Sequence, residues 1–215
     1  MNHFLDINKW NRKETYELFK KYDNPFFNIC TDVEITDSLI YSKENKLSFF
    51  LVSLFLSNQT ANSIESFRYR IRKNKVLILD VIHPGSTILN NDETFSFAYF
   101  EFNPNFKIFY DKASSLMNKF KNGYKCFDPG IERDDLIYYS SIPWISFTSF
   151  SHASDNKSGI SIPKIVFGKY FQKGNKTLMP VSVEVHHALM DGIHVGKFFN
   201  DFQFKLNNPS KFLIL

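Results

Sequence analysis

Cysteine is nearly absent from this chain. Cys30 and Cys126 are the only two, too few and too far apart for a disulfide framework or a zinc site, so no metal is expected. Long hydrophobic runs are missing as well. The most apolar stretch, Leu47 to Leu56, is too short to cross a bilayer and carries Ser48 and Ser53. The start, Met1-Asn2-His3-Phe4-Leu5-Asp6-Ile7, has no basic segment followed by an apolar one, as a secretory signal requires. We therefore expect a cytoplasmic protein with no membrane partner. Repeats, low-complexity tracts and flexible linkers are lacking too, and 215 residues can bury one substantial core. A single domain over 1–215 is the expectation. Charge of one sign is not concentrated: the net charge is +4, from 26 basic and 22 acidic residues. The densest basic cluster is Arg68, Arg70, Arg72, Lys73 and Lys75, which reads better as a solvated face than as a nucleic-acid site. The modest positive balance suits an anionic co-substrate without defining one.

Aromatic residues are abundant, with 25 Phe and 10 Tyr. An aromatic-lined pocket would use them, and compositional bias would also explain them. Residues from about Lys9 to Tyr22 predict a helix with Leu18, Phe19 and Tyr22 on its apolar side, and Phe49 to Ile64 a second, buried one. Val76 to Ile82 is β-branched enough for a strand ending at His83-Pro84-Gly85, and Thr94 to Phe102 predicts another. A helix from roughly Asp111 to Lys121 stops near Asn122-Gly123. This irregular alternation predicts an α/β fold, a two-layer sandwich in which helices pack on one side of a mixed β-sheet.

The most informative stretch is Val185-His186-His187-Ala188-Leu189-Met190-Asp191-Gly192-Ile193-His194-Val195-Gly196. Before it, Met179-Pro180-Val181-Ser182-Val183-Glu184-Val185 alternates with the period of a strand. After it, Val195, Phe198, Phe199, Phe202 and Leu206 follow the spacing of a helix with one apolar face, and Asp191-Gly192 marks the turn between. Adjacent strand residues point to opposite faces, so His186 and His187 do not share a role. A neutral imidazole with a fixed tautomer removes a proton from a hydroxyl at physiological pH, which makes histidine the natural general base here.

The string His-His-Ala-x-x-Asp-Gly-x-His-Val-Gly resembles the chloramphenicol acetyltransferases, and further matches run along nearly the whole chain. Trp10-Asn11-Arg12-Lys13-Glu14 is similar to the family's Trp-x-Arg start. Phe67-Arg68, Asp80-Val81-Ile82-His83-Pro84, Glu93-Thr94-Phe95-Ser96, the block from Ser140 to Phe150 and Gly168-Lys169-Tyr170 follow at family-like separations. The His-x-x-x-Asp-Gly core also occurs in dihydrolipoyl acyltransferases, condensation domains and plant acyltransferases. The Pro-Trp-x-x-Phe-x-Ser-Phe block and the Trp-x-Arg start select the chloramphenicol-type branch.

The resemblance implies a chloramphenicol acetyltransferase-like fold, assembled as a homotrimer with active sites between subunits. It also implies an O-acetyltransferase that uses acetyl-CoA on a small-molecule acceptor, chloramphenicol, as an antibiotic-resistance enzyme. His187 matches the catalytic base and Ser140 the hydroxyl that stabilises the oxyanion. Asp191, four residues beyond the base, could orient His187 as in a triad; the resemblance implies an ion pair with Arg12 instead. His186 is assigned to structure and His194 to packing or capping. Phe19, Phe95 and Phe127 match acceptor-pocket positions, though each could equally be core, and Lys169 and Tyr170 fall where the family contacts coenzyme A. His152 stands where a pocket Leu is usual, and Val166 replaces a Thr that helps hold a water near the oxyanion. Tyr138 replaces an Asn found in some members, and Ser151 to Ser161 is richer in Ser, Lys and Gly than the family. These departures leave room for a different hydroxylated acceptor, or for a drug-binding relative that has lost turnover.

Overall fold

The structure, a computed structural model, describes residues 2–128, 133–153 and 161–215. After a short strand β1 (His3–Phe4) come helix α1 (Lys13–Phe19), strand β2 (Phe26–Glu34) and helices α2 (Thr36–Glu44) and α3 (Phe49–Ser63). Strands β3 (Tyr69–Arg72), β4 (Lys75–Ile78), β5 (His83–Leu89) and β6 (Phe95–Tyr99) lead to helix α4 (Phe106–Lys121). Strands β7 (Leu136–Ile142), β8 (Lys164–Gly168), β9 (Phe171–Lys173) and β10 (Lys176–His186) precede helices α5 (Gly192–Asn207) and α6 (Pro209–Phe212). The main sheet runs β2-β10-β8-β7-β5-β6, with β9 paired to β10. Its β5–β7 and β7–β8 pairs are parallel and its other pairs antiparallel, so the sheet is mixed. A small second sheet, β1-β4-β3, completes the α/β architecture.

One face of the main sheet carries the core. On β10, Val181, Val183 and Val185 are fully buried in one core cluster with Leu54 and Phe55 of α3 and Phe198 and Phe202 of α5. Long apolar side chains at helical spacing on α5 supply that contact, and burying each one contributes about 1.5–3 kcal/mol. From β7, Tyr139 points to this face and its hydroxyl meets Ser57 of α3 at 3.1 Å.

The other face follows from the register. Ser140, Val166, Ser182 and Cys30 lie side by side across β7, β8, β10 and β2, and Tyr138, Lys164, Glu184 and Asn28 form the next row. Paired residues share a face, so both rows lie opposite the helices. The segment after β7 crosses this face over β8 and β10. A Cβ added at Gly168 would stand 2.6 Å from Pro180 Cγ and 2.9 Å from the Phe147 ring, which is why only glycine fits there.

Local expectations are corrected at several points. The helix expected from Lys9 to Tyr22 is a 3-10 turn followed by α1 alone, because Trp10 is extended and its ring packs on Tyr16 and Tyr69. His83-Pro84-Gly85 opens β5 instead of closing a strand, and β4 stops at Ile78; a proline is tolerated at a strand's start. Helix α4 begins five residues earlier than Asp111, where Asn105 caps it by accepting from the Ile108 amide. The basic cluster is a solvated face only at Lys73 and Lys75, which are exposed. Arg70 is fully buried and donates to the carbonyls of Asp134, Phe67, Tyr69 and Leu136, while Arg72 pairs with Asp134. Of the segment from Ser151 to Ser161, residues 154–160 lie outside the described residues.

Candidate active site

β10 ends at His186, and a tight turn returns the chain into α5. The turn is held by the Leu189 and Met190 amides, which both donate to the His186 carbonyl. The His187 amide donates to the Pro25 carbonyl at 2.8 Å, fixing the base of the side chain. At the other end, Asp191 caps α5 in a capping box with His194, whose Nδ1 accepts from the Asp191 amide at 2.9 Å. Burial, then the nearby charges of Arg12 and Lys197, lower the His194 pKa, so this imidazole is a neutral cap.

The His187 ring is held on both sides. Phe19 of α1 stacks on it at 3.8 Å and Phe27 of β2 tilts against it at 4.7 Å. Its Nδ1 lies 3.2 Å from the Met190 carbonyl and 3.2 Å from Asp191 Oδ1. Both neighbours are acceptors, so Nδ1 carries the proton of the neutral ring and Nε2 keeps its lone pair. That is the tautomer a general base needs. Asp191 also receives both terminal nitrogens of Arg12, and Arg12 donates to the His187 carbonyl at 3.1 Å. One carboxylate thus faces the imidazole and the guanidinium together.

His186 is on the opposite face, its ring edge against Phe26. Burial, then the neighbouring His187, push its pKa down to about 4. Its Nδ1 accepts from the Ala188 amide.

The remaining candidates are elsewhere on the sheet. Ser140 Oγ is 3.4 Å from the Thr87 hydroxyl on the face away from the helices, and Val166 beside it is fully buried. Phe95 and Phe127 are 5.8 Å apart, join Phe97 at the β6 edge and are largely exposed. Lys169 and Tyr170 line a cavity of about 360 Å³ with Phe49, Ser141, Gly168 and Met179. Ser141 and Pro143 continue into a second cavity of about 470 Å³, which Thr87 lines. His152 Nδ1 is 3.5 Å from Glu184 Oε2.

Ser140 and His187 are not brought together within one chain. Through Val166 and Ser182 the register places them two strands apart and five residues along β10, which is roughly 19 Å between Cα atoms at ordinary sheet spacings. They also face away from each other, since the His187 ring contacts Phe27, the register partner of buried Val185.

Phe27 and Thr87 are absent from the sequence expectations, and Ser141 enters them only inside the block from Ser140 to Phe150. Phe27 had a signal, because Phe27, Ile29, Thr31 and Val33 alternate along one face of β2. Thr87 had none, as only the parallel pairing of β5 and β7 places it beside Ser140.

Comparison with known proteins identifies the family. The family model described as chloramphenicol acetyltransferase matches residues 1–203. The chain belongs to the chloramphenicol acetyltransferase family. A chloramphenicol acetyltransferase of Escherichia coli is 32% identical over 200 residues, covering 93% of this chain and 91% of that protein. Chloramphenicol acetyltransferase 2 of Haemophilus influenzae is 28% identical over 208 residues, covering 96% and 98%. A solved chloramphenicol acetyltransferase superposes with a TM-score of 0.89 at 28% identity, over 96% of this chain and all of that one. The fold extends further: the dihydrolipoamide acetyltransferase of Azotobacter vinelandii superposes with a TM-score of 0.69 at 12% identity, over 88% of this chain and 84% of that one.

Proposed function

We propose that this chain is an acyltransferase, a chloramphenicol O-acetyltransferase formed by the single domain 1–215, with His187 as general base. The observation that carries the reading is the His187 imidazole, fixed between Phe19 and Phe27 with only acceptors at Nδ1. Acetyl-CoA supplies the acetyl group as a thioester. His187 Nε2 takes the proton of the acceptor hydroxyl, whose oxygen bonds to the acetyl carbon as the carbon–sulfur bond breaks. The same proton then passes from His187 to the departing thiolate. Such transfer by a positioned base supplies about 10²–10⁴-fold in rate. Ser140 Oγ donates to the oxyanion that develops on the acetyl oxygen, a contact worth about 2.7–4 kcal/mol when well placed.

The cavity beside Lys169 and Tyr170 suits acetyl-CoA: its apolar walls fit a thioester arm, and the lysine at its mouth fits a phosphate. Ser140 and His187, on opposite faces of one sheet, cannot meet at one reacting carbon. We take the working site to form between copies of a homotrimer, with His187 and Phe19 from one copy facing Ser140, Phe95 and Phe127 of the next. Nucleic acid, metal and membrane have no part in this reading; the chain is read as a cytoplasmic enzyme conferring antibiotic resistance.

The test is release of free CoA thiol on mixing purified protein, acetyl-CoA and chloramphenicol. Acceptor-dependent release that disappears in His187→Ala supports the reading. Release with other hydroxylated acceptors and none with chloramphenicol replaces the acceptor; no release with any acceptor, alongside tight chloramphenicol binding, makes the chain a binder.

A further inference from the structure

Lys164, Glu184 and His152 form a charged group on the sheet face that carries Ser140, and nothing in the proposed reaction uses it. Lys164 Nζ meets Glu184 Oε1 at 2.7 Å, with side chains only 10% and 8% exposed. His152, 18% exposed, places Nδ1 3.5 Å from the other oxygen, Oε2. Charges are rarely taken this far out of water without a purpose, because desolvation offsets much of their mutual attraction. Across the sheet the group occupies the row next to Ser140, Val166 and Ser182. The segment bearing Phe147, Phe150 and His152 runs over this face from Gly168 and Pro180 to Glu184, so His152 stands at the border of the Ser140 row.

The ring chemistry follows from its partner. Glu184 is ionised, because the contacts with His152 and Lys164 outweigh burial and hold its pKa at about 2. His152 Nδ1 is buried, closes no hydrogen bond and faces Glu184 Oε2 at 3.5 Å, so the neutral tautomer that directs its proton at the carboxylate carries it on Nδ1 and leaves Nε2 as an acceptor. No described residue hydrogen-bonds that Nε2. We propose that His152, positioned by Glu184, determines acceptor specificity by accepting a hydrogen bond at Nε2 from an O–H or N–H that is not the hydroxyl being acetylated. The site then selects small molecules carrying a second donor, such as a diol or a hydroxy-amide, over alcohols with one hydroxyl on an otherwise apolar frame. This rests on the acetyltransferase reading above, and it assigns a role to a polar group at the border of the Ser140 row.

Two acceptors that share a nitrophenyl ring separate the cases: chloramphenicol, which has two hydroxyls and an amide, and 4-nitrobenzyl alcohol, which has one hydroxyl. In His152→Leu, KM for chloramphenicol rises about three- to tenfold, the worth of one hydrogen bond, while kcat stays within about twofold and KM for 4-nitrobenzyl alcohol is unchanged or falls. His152→Gln, which restores an acceptor, recovers most of the lost affinity. Equal changes for both acceptors, or none for either, overturn the proposal. Calorimetric binding of the two acceptors to wild type and His152→Leu reads the same discrimination without turnover. A protein that releases no CoA but shows the discrimination in binding refutes the acetyltransferase reading and not the role of His152.

Discussion

The His187 imidazole and the Phe19 ring lie flat on one another, 10° from parallel. A stacked ring does not change which nitrogen is basic. It limits the angle through which Nε2 can swing, and a small misplacement of a base is costly in rate. Phe19→Leu keeps an apolar contact and loses the flat one. We expect kcat to fall about three- to tenfold, in line with an aromatic pair worth about 0.5–1.5 kcal/mol. His187→Gln should lose about 10²–10⁴-fold. Steady-state CoA release measures both, and unchanged kcat in Phe19→Leu would show that the stacking plays no part in positioning.

The ion pair of Arg12 and Asp191 ties the start of the chain to the turn after the base. The Arg12 side chain is 12% exposed and that of Asp191 36%, so neither the full penalty of a buried charge nor the small worth of a surface pair applies. Arg12→Ala and Asp191→Ala should each lower unfolding stability by about 1–3 kcal/mol. The double variant should cost less than the two together, which a double-mutant cycle by urea denaturation reads directly. Asp191→Ala also removes the carboxylate beside His187 Nδ1, so its kcat should fall further than that of Arg12→Ala.

Separation of Ser140 from His187 within one chain leads to a complementation experiment. Ser140→Ala and His187→Ala are each expected to be nearly inactive. If every site takes His187 from one copy and Ser140 from the next, equal amounts of the two variants, unfolded and reassembled together, regain about one quarter of the wild-type sites, the random-mixing value for a closed ring. Activity no higher than that of the separate variants would mean that both residues act from the same copy.

The turn that holds His187 and Asp191 was legible because its chemistry is contiguous: an alternating strand, two histidines, a turn and a periodic helix follow one another within thirty residues. Arg12 was legible only through the family resemblance, since nothing local to Trp10-Asn11-Arg12 points to a partner 179 positions away. Strand β2 went unread although Phe27, Ile29, Thr31 and Val33 alternate with Asn28 and Asp32, the period of a strand with one buried face. His152 and Val166 were marked as departures, but the partnership of His152 with Glu184 depends on a chain crossing that no periodicity encodes. Arg70 misled for the same reason: a cation saturated by four carbonyls is a tertiary fact, and in sequence it is one more member of a basic run.

Burial of His186 sets the pH at which the fold weakens. Its folded pKa is about 4 against 6.5 for a free imidazole, so between those values the unfolded chain binds the extra proton. Stability therefore rises with pH across that window and is fully present above 6.5. Falling from there to about pH 4, this one group removes up to about 3 kcal/mol. His194, also depressed, acts in the same direction. Glu184 contributes in a lower window: its stabilisation is complete above 4.5 and is lost as pH falls towards about 2. Urea midpoints at pH 8, 6.5 and 5, at fixed protein concentration, should be flat over the first interval and fall over the second. In His186→Asn the fall between 6.5 and 5 should shrink while any loss below 4.5 persists. An equal slope in the two proteins would mean that His186 is not the group being protonated.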